Sequence, residues 1–192
     1  MKHNEDQGDA FGRWPNKTAR LMYHDIMPLA LNGIDTTGRV VDLGGANGLR
    51  KEWIPQVVTV DYDESKSPDI VEDICTHVGE YDLAILRYVL HYMPDVVALD
   101  LLRHIREYHK GRLLVIQFVN DDYVSKAANS IGEVKWFRNT VDTVNLFATA
   151  GWRVASAKAV DYIVDADFYR ERLNHPNPSS HVETILILEL AH

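Results

Sequence analysis

Val40-Val41-Asp42-Leu43-Gly44-Gly45-Ala46-Asn47-Gly48 is an apolar run that ends in an acid and passes at once into a glycine-rich turn. A buried parallel strand hands over in this way to a loop whose backbone must come close to a ligand. A side chain at Gly44 or Gly48 would push that ligand away or demand an unfavourable φ. A second apolar run, Val57-Val58-Thr59-Val60, ends in Asp61. An acid at such a strand tip can accept hydrogen bonds from the two hydroxyls of a ribose. A glycine loop with a distal acid is the logic of a nucleoside-binding α/β domain.

The spacing is not that of the dinucleotide fingerprint, G-x-G-x-x-G. Here the loop reads G-G-A-N-G behind an acid, and a pyrophosphate does not want Asp42 just before its turn. An acid there suits a ligand carrying positive charge, an ammonium or a sulfonium. At these residues the chain resembles the class I S-adenosylmethionine-dependent methyltransferases, of the small-molecule type. Asp42, Gly44 and Gly48 match the first motif of that family, and Ala46 departs from its usual middle glycine by one methyl group. Further segments follow in the family's order. Pro68 to Ile74 is similar to the third strand and its acidic dipeptide, and Tyr81 to Leu86 to the fourth strand. Val89 to Asp95 is similar to the lead into the next helix, Gly111 to Ile116 to the fifth strand, and Leu146 to Trp152 to the last helix with its glycine stop.

The resemblance implies a doubly wound, Rossmann-like α/β fold, with seven strands in the order 3-2-1-4-5-7-6 and the seventh antiparallel. It also implies S-adenosylmethionine as cofactor and S-adenosylhomocysteine as product. Gly44, Gly45, Ala46 and Gly48 would then meet the methionine part and ribose through backbone, with Asp42 near the ammonium. Asp61 would hold the ribose hydroxyls and Tyr62 would pack on the adenine. Asp73 would accept from the adenine amino group, with the Ile74 amide facing a ring nitrogen. Arg87 and Tyr88 follow the fourth strand, where the carbonyl of Arg87 would meet the ammonium. The Arg87 side chain is unusual there and has two options, outward or toward an anionic substrate.

Composition narrows the class. A chain of 192 residues suits one domain with a sizeable core, and 46% hydrophobic with 25% charged residues is ordinary for a globular protein. No run approaches the ~20 apolar residues of a membrane span. Met1 to Asp6 is too polar for a secretory signal, and with Cys75 as the single cysteine no internal disulfide can form. A cytoplasmic location is expected. Formal net charge is −8, and between Thr59 and Asp82 eight acids stand against Lys66 alone. A nucleic-acid partner usually asks for the reverse. A small-molecule partner is expected, and the oligomeric state is left open.

Along the chain, strand and helix alternate. Residues 1–37 read as a polar segment followed by a helix from Thr18 to about Leu31, acting as a lid or substrate cap. Residues 38–192 read as the core. Strands are expected at about 39–43, 57–60, 69–72, 82–86 and 112–119, with an antiparallel final pair from Trp152 to about Val160 and from Val182 to Leu190. Pro55 cuts short the helix between the first two strands. Two rim segments, 120–139 and 161–181, fall outside the common core. With the N-terminal helix they supply the candidate acceptor walls, Tyr23, His24, Tyr123, Trp136, Tyr169 and His175.

Methyl transfer from a sulfonium is an in-line displacement with a good leaving group. The protein's task is mainly positioning, and a base is needed only where the nucleophile must lose a proton. His91 is the first candidate for that base, since imidazole titrates near ~6.5, and Tyr92 is the second. Asp121-Asp122 are placed as in metal-dependent catechol-type enzymes. The acid those enzymes carry after the fourth strand is replaced here by Arg87-Tyr88, so no metal is expected. Three alternatives stay open: a protein or RNA methyltransferase with a partner subunit, a non-catalytic cofactor-binding regulatory domain, and a nicotinamide-dependent oxidoreductase.

Overall fold

Residues 26–45, 49–119, 126–128, 134–164 and 181–192 are described by a computed structural model. The elements are α1 (Ile26–Leu31), β1 (Val40–Leu43), β2 (Val58–Asp61), β3 (Ile70–Val71), β4 (Leu83–Arg87), α2 (Asp95–Tyr108), β5 (Arg112–Val119), β6 (Lys126–Ala128), β7 (Val134–Trp136), α3 (Thr140–Thr149), β8 (Arg153–Val164) and β9 (His181–Ala191). Seven strands form one sheet in the order β3-β2-β1-β4-β5-β9-β8. The first five run parallel, and β9 runs antiparallel to both β5 and β8. With β8 and β9 counted as sixth and seventh, this is the order 3-2-1-4-5-7-6 that the motifs implied. A separate antiparallel hairpin joins β6 to β7.

The parallel strands are apolar runs because both of their faces are covered. Val41, Leu43, Ala84, Leu86, Leu113 and Val115 point into one core with α2, α3, Leu186 and Leu188. Val40, Leu83, Ile85, Leu114 and Ile116 point into the other, with Ile26, Met27 and Ala30 of α1. The described end of the N-terminal helix is therefore part of the core. Helix α2 buries Ala98, Leu101, Leu102 and Ile105, a stripe at spacings of three and four residues. Each large side chain so buried contributes ~1.5–3 kcal/mol before entropy is counted. Helix α3 starts where the Asn139 side chain accepts the Asp142 N–H at 2.6 Å. It ends at Gly151, whose φ of +90° reverses the chain. The buried Trp152 then donates its indole N–H to the Leu102 carbonyl at 2.9 Å, tying this exit to α2.

Among the described residues between β1 and β2 there is a single 3-10 turn, Leu49–Glu52, which stops short of Pro55. The segment after Asp61 holds one more, Glu64–Lys66, with the Asp63 side chain as its cap. Two sequence expectations are corrected. β8 runs on to Val164 and β9 starts at His181, so part of what was read as the 161–181 rim segment is strand. The reason is that Tyr162-Ile163-Val164 favours extended chain, and the partner strand continues opposite it. The β6–β7 hairpin inside 120–139 was not anticipated.

At the opposite end of the sheet from the glycine loop, the buried His109 ring stacks on Tyr81 at 5.3 Å and lies 5.9 Å from the His77 ring. Neither of its ring nitrogens has a partner among the described residues. Burial first, and then the neighbouring His77, pushes its pKa down to about 4. The folded value lies below the unfolded ~6.5, so the unfolded chain binds more protons between them. The contribution is whole above pH ~6.5 and is lost as pH falls toward 4, by at most ~3 kcal/mol. Urea unfolding across this range should show a shallower loss of stability in His109→Phe than in the native chain. Parallel curves would contradict this.

Candidate active site

The loop after β1 is held by two N–H groups on one carbonyl. Gly44 and Gly45 both donate to Val60 O, at 2.8 and 3.2 Å. Gly44 has φ +74°, a left-handed conformation that favours glycine. A Cβ on it would sit 2.8 Å from Val89 Cγ2, so this loop lies directly against the turn that leaves β4. Gly44→Ala should therefore lose ~1–2 kcal/mol to the left-handed backbone alone, with the clash in addition. Its urea midpoint checks this, and a midpoint equal to the native one would mean that the turn relaxes freely. Asp42, at the base of the loop, is fully buried.

Asp61 is nearly buried at the tip of β2, where its Oδ1 accepts the Asp63 N–H at 3.0 Å. Its carbonyl accepts the Glu72 N–H at 3.1 Å, which draws the segment after β3 alongside. The Tyr62 phenol is pushed up to about 12 by burial and then by the charges of Asp61, Asp63 and Asp73. Asp73, from beyond β3, is thus brought close to the adjacent Asp61 and Tyr62, with half of the tyrosine exposed to solvent. Asp73 Oδ1 accepts the Cys75 N–H at 2.9 Å, while Ile74 turns into the core. Burial and Asp73 push the Cys75 thiol up to about 11, which leaves it a poor nucleophile.

Arg87 ends β4 and is only 7% exposed, which removes the outward option for its side chain. Its guanidinium lies 5.5 Å from the centre of the Tyr88 ring. Tyr88 has φ +56°, strained for an aromatic residue, and is held there by its N–H to Ile116 O (2.8 Å) and by stacking on Phe118 at 4.2 Å. His91 follows in the single turn Leu90–Tyr92, buried, with the Tyr92 ring 4.1 Å from its own. Its Nδ1 lies 3.2 Å from Gln117 Nε2.

Gln117 was missed in the sequence, and Arg138 was read there only as one of the pocket-shaping groups of the 120–139 rim segment. Gln117 is the polar member of Leu113-Leu114-Val115-Ile116-Gln117-Phe118-Val119, and a polar group inside a buried strand was the available signal. Arg138 is buried and clamps the His91 turn. Its Nη1 donates to Leu90 O at 2.9 Å, its Nη2 to Met93 O at 2.8 Å, and its Nε to Asp95 at 2.8 Å. Nothing local announced that clamp. Of the proposed acceptor walls, the half-buried Trp136 is described, and its carbonyl faces Arg138 Nη1 at 3.4 Å. Tyr23, His24, Tyr123, Tyr169 and His175 lie outside the described residues, as do Ala46 and Gly48. Among the described residues there is no group of three or more His, Cys, Asp or Glu placed to hold a metal ion.

The donor set fits S-adenosylmethionine. Carboxylates gather at the strand tips, where a ribose, an adenine amino group and a cationic methionine moiety would each find an acceptor. A pyrophosphate would be repelled there.

Comparison with known proteins agrees. A methyltransferase domain family model matches residues 14–159. A magnesium protoporphyrin IX methyltransferase from Synechocystis, crystallised with S-adenosylmethionine, superposes with a TM-score of 0.63 at 13% identity, over 100% of this chain and 87% of that one. An O-methyltransferase from a polyketide synthase of Brevibacillus brevis, bound to S-adenosyl-L-homocysteine, gives 0.62 at 12%, over 100% and 80%. An S-adenosylmethionine-dependent methyltransferase from Mesorhizobium loti gives 0.55 at 17%, over 84% and 96%. At such identities these likenesses speak for the fold. No curated protein matches the chain. The family match spans most of the sequence, and the chain belongs to the S-adenosylmethionine-dependent methyltransferase domain family.

Proposed function

We propose that this chain transfers a methyl group from S-adenosylmethionine to a small-molecule acceptor, at oxygen in preference to nitrogen, in a biosynthetic or modifying pathway. The observation that carries this reading is the convergence of Asp61, Asp73 and Tyr62 beside the Gly44 loop, which itself touches the turn leading to His91. Asp42, Gly44, Gly45, Ala46 and Gly48 would hold the methionine end. Asp61, Tyr62, Asp73 and Ile74 would hold the nucleoside end, with the backbone of Arg87 and Tyr88 closing the site. When bound, the cofactor supplies an electrophilic methyl group.

The residues of the chain bind, align and exclude water. His91 and Tyr92 are the catalytic candidates, on the single turn that follows the β4 exit. The 1–37 segment and the rims at 120–139 and 161–181 would shape the acceptor side, and the 38–192 core would carry the cofactor. The acidic surface argues against a nucleic-acid acceptor. No helix among the described residues is long and apolar enough to cross a membrane. The single half-buried Cys75 fits a reducing cytoplasm.

Isotope-labelled S-adenosylmethionine, incubated with the chain and pooled small acids, phenols, alcohols and amines, should give labelled small products. Label transferred to added RNA or protein instead would overturn the acceptor class.

A further inference from the structure

We propose that Gln117 fixes His91 as a hydrogen-bond donor, and that the acceptor is a carboxylate, a nucleophile with no proton to give up. This rests on the methyltransferase reading and deepens it.

Gln117 is 4% exposed on β5, two residues from Val115 and two from Val119, which belong to the core under α2 and α3. An amide buried in that position is costly unless it is bonded. Its Nε2 lies 3.2 Å from His91 Nδ1 and 3.4 Å from the Phe118 carbonyl oxygen. A carbonyl only accepts, so the end of the amide that faces it must be the NH₂. Turning the amide over would set its Oε1 against that carbonyl oxygen. With the NH₂ in place, Nδ1 of His91 is an acceptor, and the proton of the neutral ring sits on Nε2. A second proton on Nδ1 would meet the amide hydrogens. The donor of the ring is then Nε2–H.

A donor in that position cannot take a proton from an alcohol. It can hold one oxygen of a carboxylate while the other oxygen reacts. Carboxylates are ionised at neutral pH, with ordinary pKa values near ~4. The step balances without a base. The carboxylate oxygen forms a bond to the methyl carbon, the carbon–sulfur bond breaks, and its electron pair goes to sulfur. The negative charge of the acceptor and the positive charge of the sulfonium cancel, giving an ester and a neutral thioether. The buried Arg87, at the end of the strand that leads to His91, supplies positive charge of the sign such an acceptor needs. Gln117 is a positioning residue here, acting through His91.

The test is the tautomer itself, read from long-range ¹H–¹⁵N spectra of the labelled full chain with and without S-adenosylhomocysteine. His91 signals are identified by their loss in His91→Phe. The native chain should show Nε2–H between pH 6 and 8. Gln117→Glu, nearly the same shape but accepting only, should switch it to Nδ1–H. Gln117→Leu should give a mixture, which serves if the glutamate variant fails to fold. Nδ1–H in the native chain would overturn the proposal. In turnover, labelled methyl should appear as alkali-labile ester from a pool of small carboxylic acids, at least ten-fold faster than from the matching alcohols and phenols. Alkali-stable ethers in excess would also overturn it. Failure to bind S-adenosylhomocysteine would sink the methyltransferase reading alone, because the tautomer is also read without it.

Discussion

Asp61→Ala is expected to weaken binding of S-adenosylhomocysteine by ~1.5–3 kcal/mol, the loss of at least one charge-assisted hydrogen bond. That is roughly a ten-fold to hundred-fold rise in Kd. The carboxylate is nearly buried at the tip of β2, where its Oδ1 accepts the Asp63 N–H of its own loop at 3.0 Å. Asp61→Asn separates charge from shape, because the amide still accepts through oxygen but carries no charge. It should fall between the alanine variant and the native chain. Isothermal calorimetry gives both numbers. An alanine variant with native affinity would remove Asp61 from the cofactor site.

Arg138→Met is expected to destabilise the fold by about 3 kcal/mol, since hydrogen bonds to a charged group contribute ~1.5–3 kcal/mol each and the carbonyls left behind are buried. The methionine keeps most of the aliphatic stem, so the loss reports on the guanidinium. That group joins Leu90 O, Met93 O and Asp95 from the β7–α3 connection, in which Arg138 lies. Arg138→Lys should recover less than half, because one ammonium cannot span carbonyls on both sides of the turn. Urea unfolding measures this, and a loss under 1 kcal/mol would show that the His91 turn holds itself. Because the clamp closes on the residues flanking His91, turnover should fall further than cofactor affinity does.

The sheet could be read from the sequence because its information is local. Each of β1, β2, β4 and β5 is a largely apolar run with an acid or a glycine at one of its ends (Gly44, Asp61, Asp82 and Gly111), and runs covered on both faces need no alternation. The reach of β8 past Val160 was harder. Asp161 looks like a turn residue, yet it lies on the strand and accepts the Thr184 hydroxyl at 2.6 Å across to β9. The β6–β7 hairpin has strands of three residues each, too short for a periodic signal. At the site, Asp42, Gly44 and Asp61 were legible because a fixed spacing ties loop and strand tip together. Gln117 and the clamp by Arg138 were not, because their partners lie 26 and 43 to 48 positions away in sequence. Only the folded sheet makes them neighbours.

Amide chemical-shift mapping during titration with S-adenosylhomocysteine tests the central claim most directly. Saturable shifts are expected at Gly44, Gly45, Asp61, Tyr62, Asp73, Ile74 and Tyr88, with no comparable shifts when NADH is added. Shifts confined to other parts of the chain, or a response to NADH at the Gly44 loop instead, would contradict it.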